Sequence, residues 1–293
     1  MLEDAFSIYL KYERNYSPLT VDRYADDLRL FHSFFKSQHP EMEWQTVTSE
    51  AVRQWMMSMM EKGGKATSVN RRLSSLRTFF KFLLRKEYIT EDPTLKIVGP
   101  KKEKYLPSFV KESDMNRLLD STEFGSGFKA SRDRLILLMF YLTGMRRAEL
   151  IGLDVRDVDL SASQIKVTGK RNKQRLIPFA TELKDTICKY LQDRDSMFPE
   201  APEAFFLDDK GKRITEYAVG NIVKIYLSQV VTLKKRTPHV LRHTFATAML
   251  NNDAELEAVK QLLGHESLAT TEIYTHTSFE ELKKVYKQAH PRA

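Results

Sequence analysis

Between Val69 and Leu83 the apolar residues Val69, Leu73, Leu76, Phe80 and Leu83 recur at spacings of four, three, four and three. That period belongs to an α-helix with one buried face and excludes a strand, whose side chains alternate every second residue. The rest of the first hundred residues reads the same way. Phe6, Tyr9 and Leu10 mark a first amphipathic segment. A second begins near Ser17-Pro18, proline being suited to a first helical turn, and runs through Tyr24, Leu28, Leu30, Phe31 and Phe34. A third takes Thr48 or Ser49 as N-cap, buries Val52, Trp55, Met56 and Met59, and stops at Gly63-Gly64. The fourth, with the Val69–Leu83 pattern, starts near Thr67 or Ser68.

The fourth helix is also strongly basic. Lys62, Lys65, Arg71, Arg72, Arg77, Lys81, Arg85 and Lys86 occur without one acidic residue between Lys62 and Lys86. Arg77, Lys81 and Arg85 share a stripe at i, i+4 spacing. The alternative is a solvated face, but such faces usually mix signs. These like charges repel and have no compensation within the segment. A phosphate backbone would supply it, with release of condensed counterions. The net charge of +8 and pI of about 9.3 favour the same class of partner, nucleic acid or an anionic membrane. The longest apolar run, Leu135 to Leu142, is too short to span a bilayer. The first residues, Met-Leu-Glu-Asp, are acidic where a signal peptide is basic, so a cytoplasmic location without membrane contact is expected. A single cysteine, Cys188, excludes an internal disulfide framework and a multi-cysteine zinc site.

From Glu91 to Pro107 proline, glycine and lysine replace apolar periodicity, which marks a boundary. The expected division is a helical domain over 1–98, a linker over 99–107 and a second domain over 108–293. The second domain is mixed. Helical patterns carry Met115, Leu118 and Leu119, then Leu135 to Leu142, Arg147 to Leu153, Leu183 to Leu191 and Ala218 to Leu227. Gln164 to Thr168 and Leu176 to Phe179 read as a β-hairpin around the basic tip Gly169 to Arg175. The fold class expected is mainly α with a small β-sheet.

Four segments could carry chemistry. In Thr143-Gly144-Met145-Arg146-Arg147-Ala148-Glu149-Leu150 a glycine break places Arg146 near a helix start, with Glu149 one turn on. A guanidinium held by a carboxylate is pre-aimed for phosphate oxygens, although a surface ion pair would look the same. The hairpin tip offers Lys170, Arg171, Lys173 and Arg175, a phosphate contact or a proton donor if not a solvated turn. In Thr237-Pro238-His239-Val240-Leu241-Arg242-His243 the capping threonine and first-turn proline place His239 and Arg242 on one face at a helix N-terminus, where backbone N–H groups face anions. His239 and His243 stand at zinc-ligand spacing, but Val240 occupies the position of the glutamate that a zinc-protease motif requires, so no metal is expected. In the fourth segment Gly264 ends a helix, His265 follows at once, and Tyr274 lies nine residues later.

Each segment alone has a bland reading; their combination does not. In-line attack on a phosphodiester needs a nucleophile, donors for charge on the nonbridging oxygens and an acid for the leaving oxygen. Two arginines, two histidines, a lysine and a tyrosine supply these without a metal. A free tyrosine of pKa ~10 is ionised about one part in a thousand at pH 7, a deficit of roughly 4 kcal/mol that a histidine base and a cationic pocket can offset.

Together the segments "TGMRRAELIGL", "VTGKRNKQRLIPF", "TPHVLRHTFATAML", "LLGHESLATTEIYTH" and "HPRA" resemble the tyrosine recombinases of the phage integrase family, and within it the Xer recombinases of the XerC/XerD type. "SPLTVDRYADDLRLF" and "VNRRLSSLRTFFKFLLRK" resemble the family's core-binding domain. The resemblance implies a SAM-like helical core-binding domain and a mixed α/β catalytic domain that close on double-stranded DNA as a C-shaped clamp. It implies that Arg146 and Arg242 clamp the scissile phosphate, Lys170 protonates the 5′ oxygen, His239 handles the tyrosine proton and His265 bonds a phosphate oxygen. Tyr274 would attack, giving a 3′-phosphotyrosyl link, with Glu149 as support and no ATP or cofactor. The DNA contacts expected on the first domain are Arg71, Arg72, Arg77, Lys81 and Arg85.

A final helix starting at Ser278, with Ser278 and Glu281 as a capping box, carries the stripe Phe279, Leu282, Val285 and Tyr286. The stripe packs within the chain or, as the resemblance implies, docks on a neighbouring protomer in a homo- or heterotetramer on two DNA sites. The implied setting is chromosome dimer resolution, with a paralogous recombinase and a septal DNA translocase as possible partners. Met145 stands where the family often has leucine, Arg147 is more basic than usual, and Lys173 competes with Lys170 as the acid. No domain precedes the helical bundle, against an integrase that binds arm sites. An integrase or invertase of a mobile element, a type IB topoisomerase and a DNA-binding protein without catalysis are the competing readings.

Overall fold

The computed structural model describes residues 2–38, 40–41, 43–101, 108–169, 172–264 and 276–292. The chain divides into two compact units, Met1–Tyr105 and Leu106–Ala293.

In the first unit α1 (Leu2–Ile8) continues into a π-helical turn (Tyr9–Glu13), followed by α2 (Pro18–Gln38), α3 (Ser49–Glu61) and α4 (Ala66–Arg85). Thr48 caps α3, its side chain accepting from the Ala51 N–H at 3.3 Å. The helix ends at Glu61, just before Gly63, which takes the left-handed conformation. The Val69–Leu83 stripe is fully buried and meets Phe6, Phe31, Val52 and Trp55 in one core. Trp44 closes it, stacking edge-on to Phe79 at 4.6 Å between centroids and donating from Nε1 to Glu3 Oε1 at 2.8 Å. Each such side chain contributes roughly 1.5–3 kcal/mol by leaving water. Leu30, expected inside, is half exposed, because Leu28 and Phe31 hold the buried face of α2.

In the second unit α5 (Glu112–Asn116) runs into a π-helical turn (Arg117–Ser121) and leads to α6 (Gly127–Thr143). From Leu135 to Leu142 every side chain of α6 is fully buried. A helix apolar on all sides belongs at the centre, and α8 (Thr181–Met197), α9 (Glu216–Val230) and α10 (Pro238–Asn251) pack around it. The short helix α7 (Arg147–Gly152) precedes an antiparallel sheet of order β1-β2-β3, with β1 at Val158–Asp159, β2 at Gln164–Thr168 and β3 at Gln174–Pro178. The hairpin is as expected; β1, two residues long, gave no periodic signal. Its register sets Val167 opposite Arg175 and Ile165 opposite Ile177.

After α11 (Leu256–Leu263), the last helix α12 spans His276–Ala289. It begins two residues before Ser278, so Ser278 lies inside the helix and not at its start. Of the stripe that was read as packing within the chain or docking on a neighbouring protomer, Leu282 and Tyr286 pack within this unit, in a core with Phe245, Met249, Leu262 and Leu263. The chain end is fixed there as well. The His290 ring lies among Tyr141, Phe245 and Tyr286, with Nε2 on the Tyr141 carbonyl at 3.2 Å and Nδ1 accepting the Arg292 N–H at 3.2 Å. Arg292 forks onto Asp120 and Glu182.

Burial pushes His290 down from 6.5 to about 4, against the pull of the Tyr141 carbonyl. A base with a depressed folded pKa is bound by an extra proton only after unfolding. Stability is therefore complete above pH 6.5 and falls between pH 6.5 and 4, by roughly 3 kcal/mol at ~1.36 kcal/mol per unit. Thermal unfolding followed across this range should show that slope, and His290→Phe should flatten it; an unchanged slope in the variant contradicts the assignment.

Candidate active site

Gly144 ends α6 in the left-handed conformation, φ +59°, and the chain turns so that Arg146 becomes the N-cap of α7. Glu149, one turn on, accepts the Arg146 backbone N–H at 2.7 Å and its Nη1 at 2.8 Å. The carboxylate is only 4% exposed and also takes a two-pronged bond from Arg175, Nη1 at 2.8 Å and Nη2 at 2.9 Å. Burial alone would raise the Glu149 carboxyl. The hydrogen bonds and charge of Arg175, then the hydrogen bonds of Arg146, outweigh it and hold it at about 2.

Arg242 stands at the start of the second turn of α10 and is 7% exposed. Thr237 is the N-cap residue of that helix, although its side chain makes no capping bond; Pro238 occupies the first turn as expected. Arg242 Nη1 donates to the Gly144 carbonyl at 2.6 Å and Nη2 to the Leu263 carbonyl at 2.7 Å. Burial, then the charges of Arg146 and Arg175, lower its pKa to about 10.

The end of α11 organises the site. A helix C-terminus leaves carbonyls without partners and carries partial negative charge. Arg175 Nε takes the Leu262 carbonyl at 2.8 Å, Arg242 Nη2 that of Leu263 at 2.7 Å, and Arg146 Nη2 that of Gly264 at 2.8 Å. Three consecutive carbonyls thus hold three guanidiniums. Arg146 and Arg242 keep N–H donors beyond these contacts. Three cations around one carboxylate leave a net positive charge at this place, suited to an anion.

His239 lies one turn before Arg242 and meets His243 edge to face, 5.5 Å between centroids. Partial burial, then the charges of His243, Arg242 and Arg146, lower its pKa, so the neutral, proton-accepting form prevails at pH 7. The structure therefore brings Arg146, Glu149, His239 and Arg242 together. Lys170, His265 and Tyr274 lie outside the described residues, as does Arg171. Lys173, exposed at the hairpin tip, is described.

Sequence reasoning counted Arg175 among the cations of the hairpin tip, whereas it lies buried in β3, and it missed the three carbonyls. Arg175 alternates with Ile177 and Phe179 on the inward face of β3, and a cation in a core register was the available signal.

On the basic helix, compensation does exist. Asp27 of α2, 1% exposed, takes a fork from Arg71 at 2.5 and 2.8 Å and the Ser75 hydroxyl at 2.7 Å; Arg72 Nε is 3.8 Å away. Arg77 donates to the Ile97 carbonyl and Arg85 to the Tyr9 hydroxyl. Lys81 is exposed and makes no ion pair among the described residues. Asp27 thus compensates Arg71 and Arg72 from outside the segment, whereas Arg77, Lys81 and Arg85, the stripe read from the sequence, have no carboxylate partner among the described residues.

Residues 108–281 match the sequence model of the phage integrase family, and residues 4–87 that of the phage integrase N-terminal SAM-like domain. The chain belongs to the phage integrase family of tyrosine recombinases. Within it the likeness is to the Xer type. It is 37% identical over 292 residues to the tyrosine recombinase XerC of Staphylococcus epidermidis strain RP62A, covering 100% of this chain and 98% of that protein. To XerC of Halalkalibacterium halodurans it is 38% identical over 295 residues, covering 99% and 97%. Among solved structures, XerA recombinase covers 100% of this chain, and 99% of its own is covered, with TM-score 0.50 and 27% identity. The XerH site-specific recombinase bound to palindromic difH substrate shares the fold with TM-score 0.74 over 96% of this chain and 83% of its own, at 23% identity.

Proposed function

We propose that this Xer-type recombinase cuts and rejoins double-stranded DNA through Tyr274. The Tyr274 oxygen forms a bond to the scissile phosphorus while the bond from phosphorus to the 5′ oxygen breaks. His239 takes the tyrosine proton, and Lys170 on the hairpin tip, or its neighbour Lys173, gives a proton to the departing oxygen. Arg146 and Arg242 bind the nonbridging oxygens, His265 adds a hydrogen bond, and Glu149 holds Arg146. The 3′-phosphotyrosyl link conserves the energy of the broken bond, so rejoining is the same step in reverse. The observation that carries this reading is the hanging of Arg146 and Arg242 on the adjacent Gly264 and Leu263 carbonyls, which gathers both guanidiniums at the end of α11.

Arg71, Arg72, Arg77, Lys81 and Arg85 make the phosphate contacts of the helical domain, with Lys81 as the least encumbered. The full-length likeness to XerC proteins supports a role in chromosome dimer resolution in the cytoplasm, in a tetramer on two DNA sites with a paralogous recombinase and a septal translocase. The DNA complexes of XerH support the duplex partner.

The test starts with a duplex selected by the full chain from a random pool. A nick beside the scissile phosphate should trap a covalent adduct with the wild type, and Tyr274→Phe should yield none while binding the same duplex. An adduct that survives this substitution removes Tyr274 as the nucleophile.

A further inference from the structure

Arg175 has no part in the cleavage scheme above, yet it touches more of the site than either clamp arginine. It is 7% exposed, and all three side-chain nitrogens are engaged: Nε on Leu262, Nη1 and Nη2 on the two oxygens of Glu149. With Nε and both Nη nitrogens on protein partners, the contacts of Arg175 bear on what it holds. It holds three things. The first is the end of α11, where the neighbouring carbonyls carry Arg242 and Arg146. The second is Glu149, which aims Arg146. The third is the hairpin itself.

The hairpin tip hangs from a neck close to Arg175. The Gly169 N–H donates to the Lys173 carbonyl at 2.7 Å, tying together the two arms of the hairpin. A Cβ placed on Gly169 would stand 3.4 Å from Glu149 Oε1 and 3.9 Å from Arg146 Nη1. The neck therefore rests against the same carboxylate that Arg175 grips from the next inward position of β3. Gly264, left-handed at the end of α11, leaves room for this approach; a Cβ there would lie 3.1 Å from Arg175 Nη1.

We propose that Arg175 is a positioning residue for strand cleavage, fixing the lysine-bearing hairpin and the Arg146–Glu149 pair to the C-terminus of α11. This rests on the reading that a hairpin lysine protonates the leaving oxygen. A methionine of similar length would fill the space but would leave the hairpin free to shift along Glu149. Misplacement of the acid by about 1 Å is enough to lose much of its effect.

The experiment compares two nicked duplexes, one with the natural 5′ oxygen at the scissile bond and one with sulfur in its place. When the phosphorus–sulfur bond breaks, the electron pair leaves on a thiolate that needs no proton. Arg175→Met should cleave the oxygen substrate about 10²-fold more slowly, the scale of a displaced general acid, and should regain at least about tenfold on the sulfur substrate. Duplex affinity should change by less than about threefold, since the Arg175 contacts are with the protein itself. Arg175→Lys keeps the charge and one contact and should fall between; if the methionine variant does not fold, the lysine variant carries the same comparison. Lys170→Ala and Lys173→Ala report the acid separately: if neither gains from sulfur while Arg175→Met does, the lysine assignment fails and the positioning role stands. Arg175 variants whose two rates fall together, or whose oxygen rate stays within about threefold of wild type, overturn the proposal whatever the lysines show.

Discussion

Glu149→Gln is expected to destabilise the catalytic unit by about 3–5 kcal/mol, the scale seen when one partner of a buried ion pair is removed. The carboxylate accepts from Arg146 and Arg175 and is the counter-charge to both. Glutamine would turn an NH2 group towards a guanidinium and leave those cations without compensation. Denaturant unfolding at pH 7 measures the loss, and a change below about 1 kcal/mol would contradict the arrangement. The double variant Glu149→Gln/Arg175→Met should lose less than the sum of the singles, because it removes charge of both signs. The pH dependence has a definite sign. The Glu149 carboxyl falls from 4.5 to about 2 on folding, so its contribution is complete above pH 4.5 and disappears as pH drops towards 2. The glutamine variant should lack that acid limb.

Gly144→Ala is the second large effect. At φ +59° an L side chain is strained by about 1–2 kcal/mol, and its Cβ would stand 2.4 Å from Phe245 Cδ1 and 2.8 Å from Leu263 Cδ2. Both neighbours belong to the core under the site, so relief requires shifting packed rings, at a further ~1–3 kcal/mol. The Gly144 carbonyl also holds Arg242. A fall in Tm of about 5–15 °C is expected from roughly 2–4 °C per kcal/mol in a unit of this size. Gly125→Ala is the control. It has φ +84° with nothing within 4 Å, and so carries the backbone strain alone. Equal Tm losses in the two variants would remove the steric part of the argument.

Much of this was legible before any coordinates. The apolar period placed α2, α3 and α4, alternation placed the hairpin, and Gly144 and Pro238 marked the starts that deliver Arg146, His239 and Arg242. These are local signals, carried within a turn or two of chain. What was not legible is what distance in sequence conceals. Asp27 neutralises Arg71 from 44 residues away. Arg175 meets Glu149 across 26 residues and Leu262 across 87. Main-chain carbonyls leave no residue type to read, so the cradle at 262–264 had no signature except the glycine that ends it. The start of α12 was misplaced because Ser278 and Glu281 fit a capping pattern at a point where the helix, begun two residues earlier, is already under way.

The cradle at the end of α11 also bears on how this enzyme can change over evolutionary time. Successive helical residues point about 100° apart and rise about 1.5 Å. Inserting or deleting one residue before Leu262 would re-aim all three arginines together, and no single compensating substitution could restore them. Substitutions on the outer face of α11, at Glu257 or Lys260 for instance, leave the carbonyls where they are. The helix should therefore accept wide variation in its side chains and almost none in its length, with drift confined to what faces water.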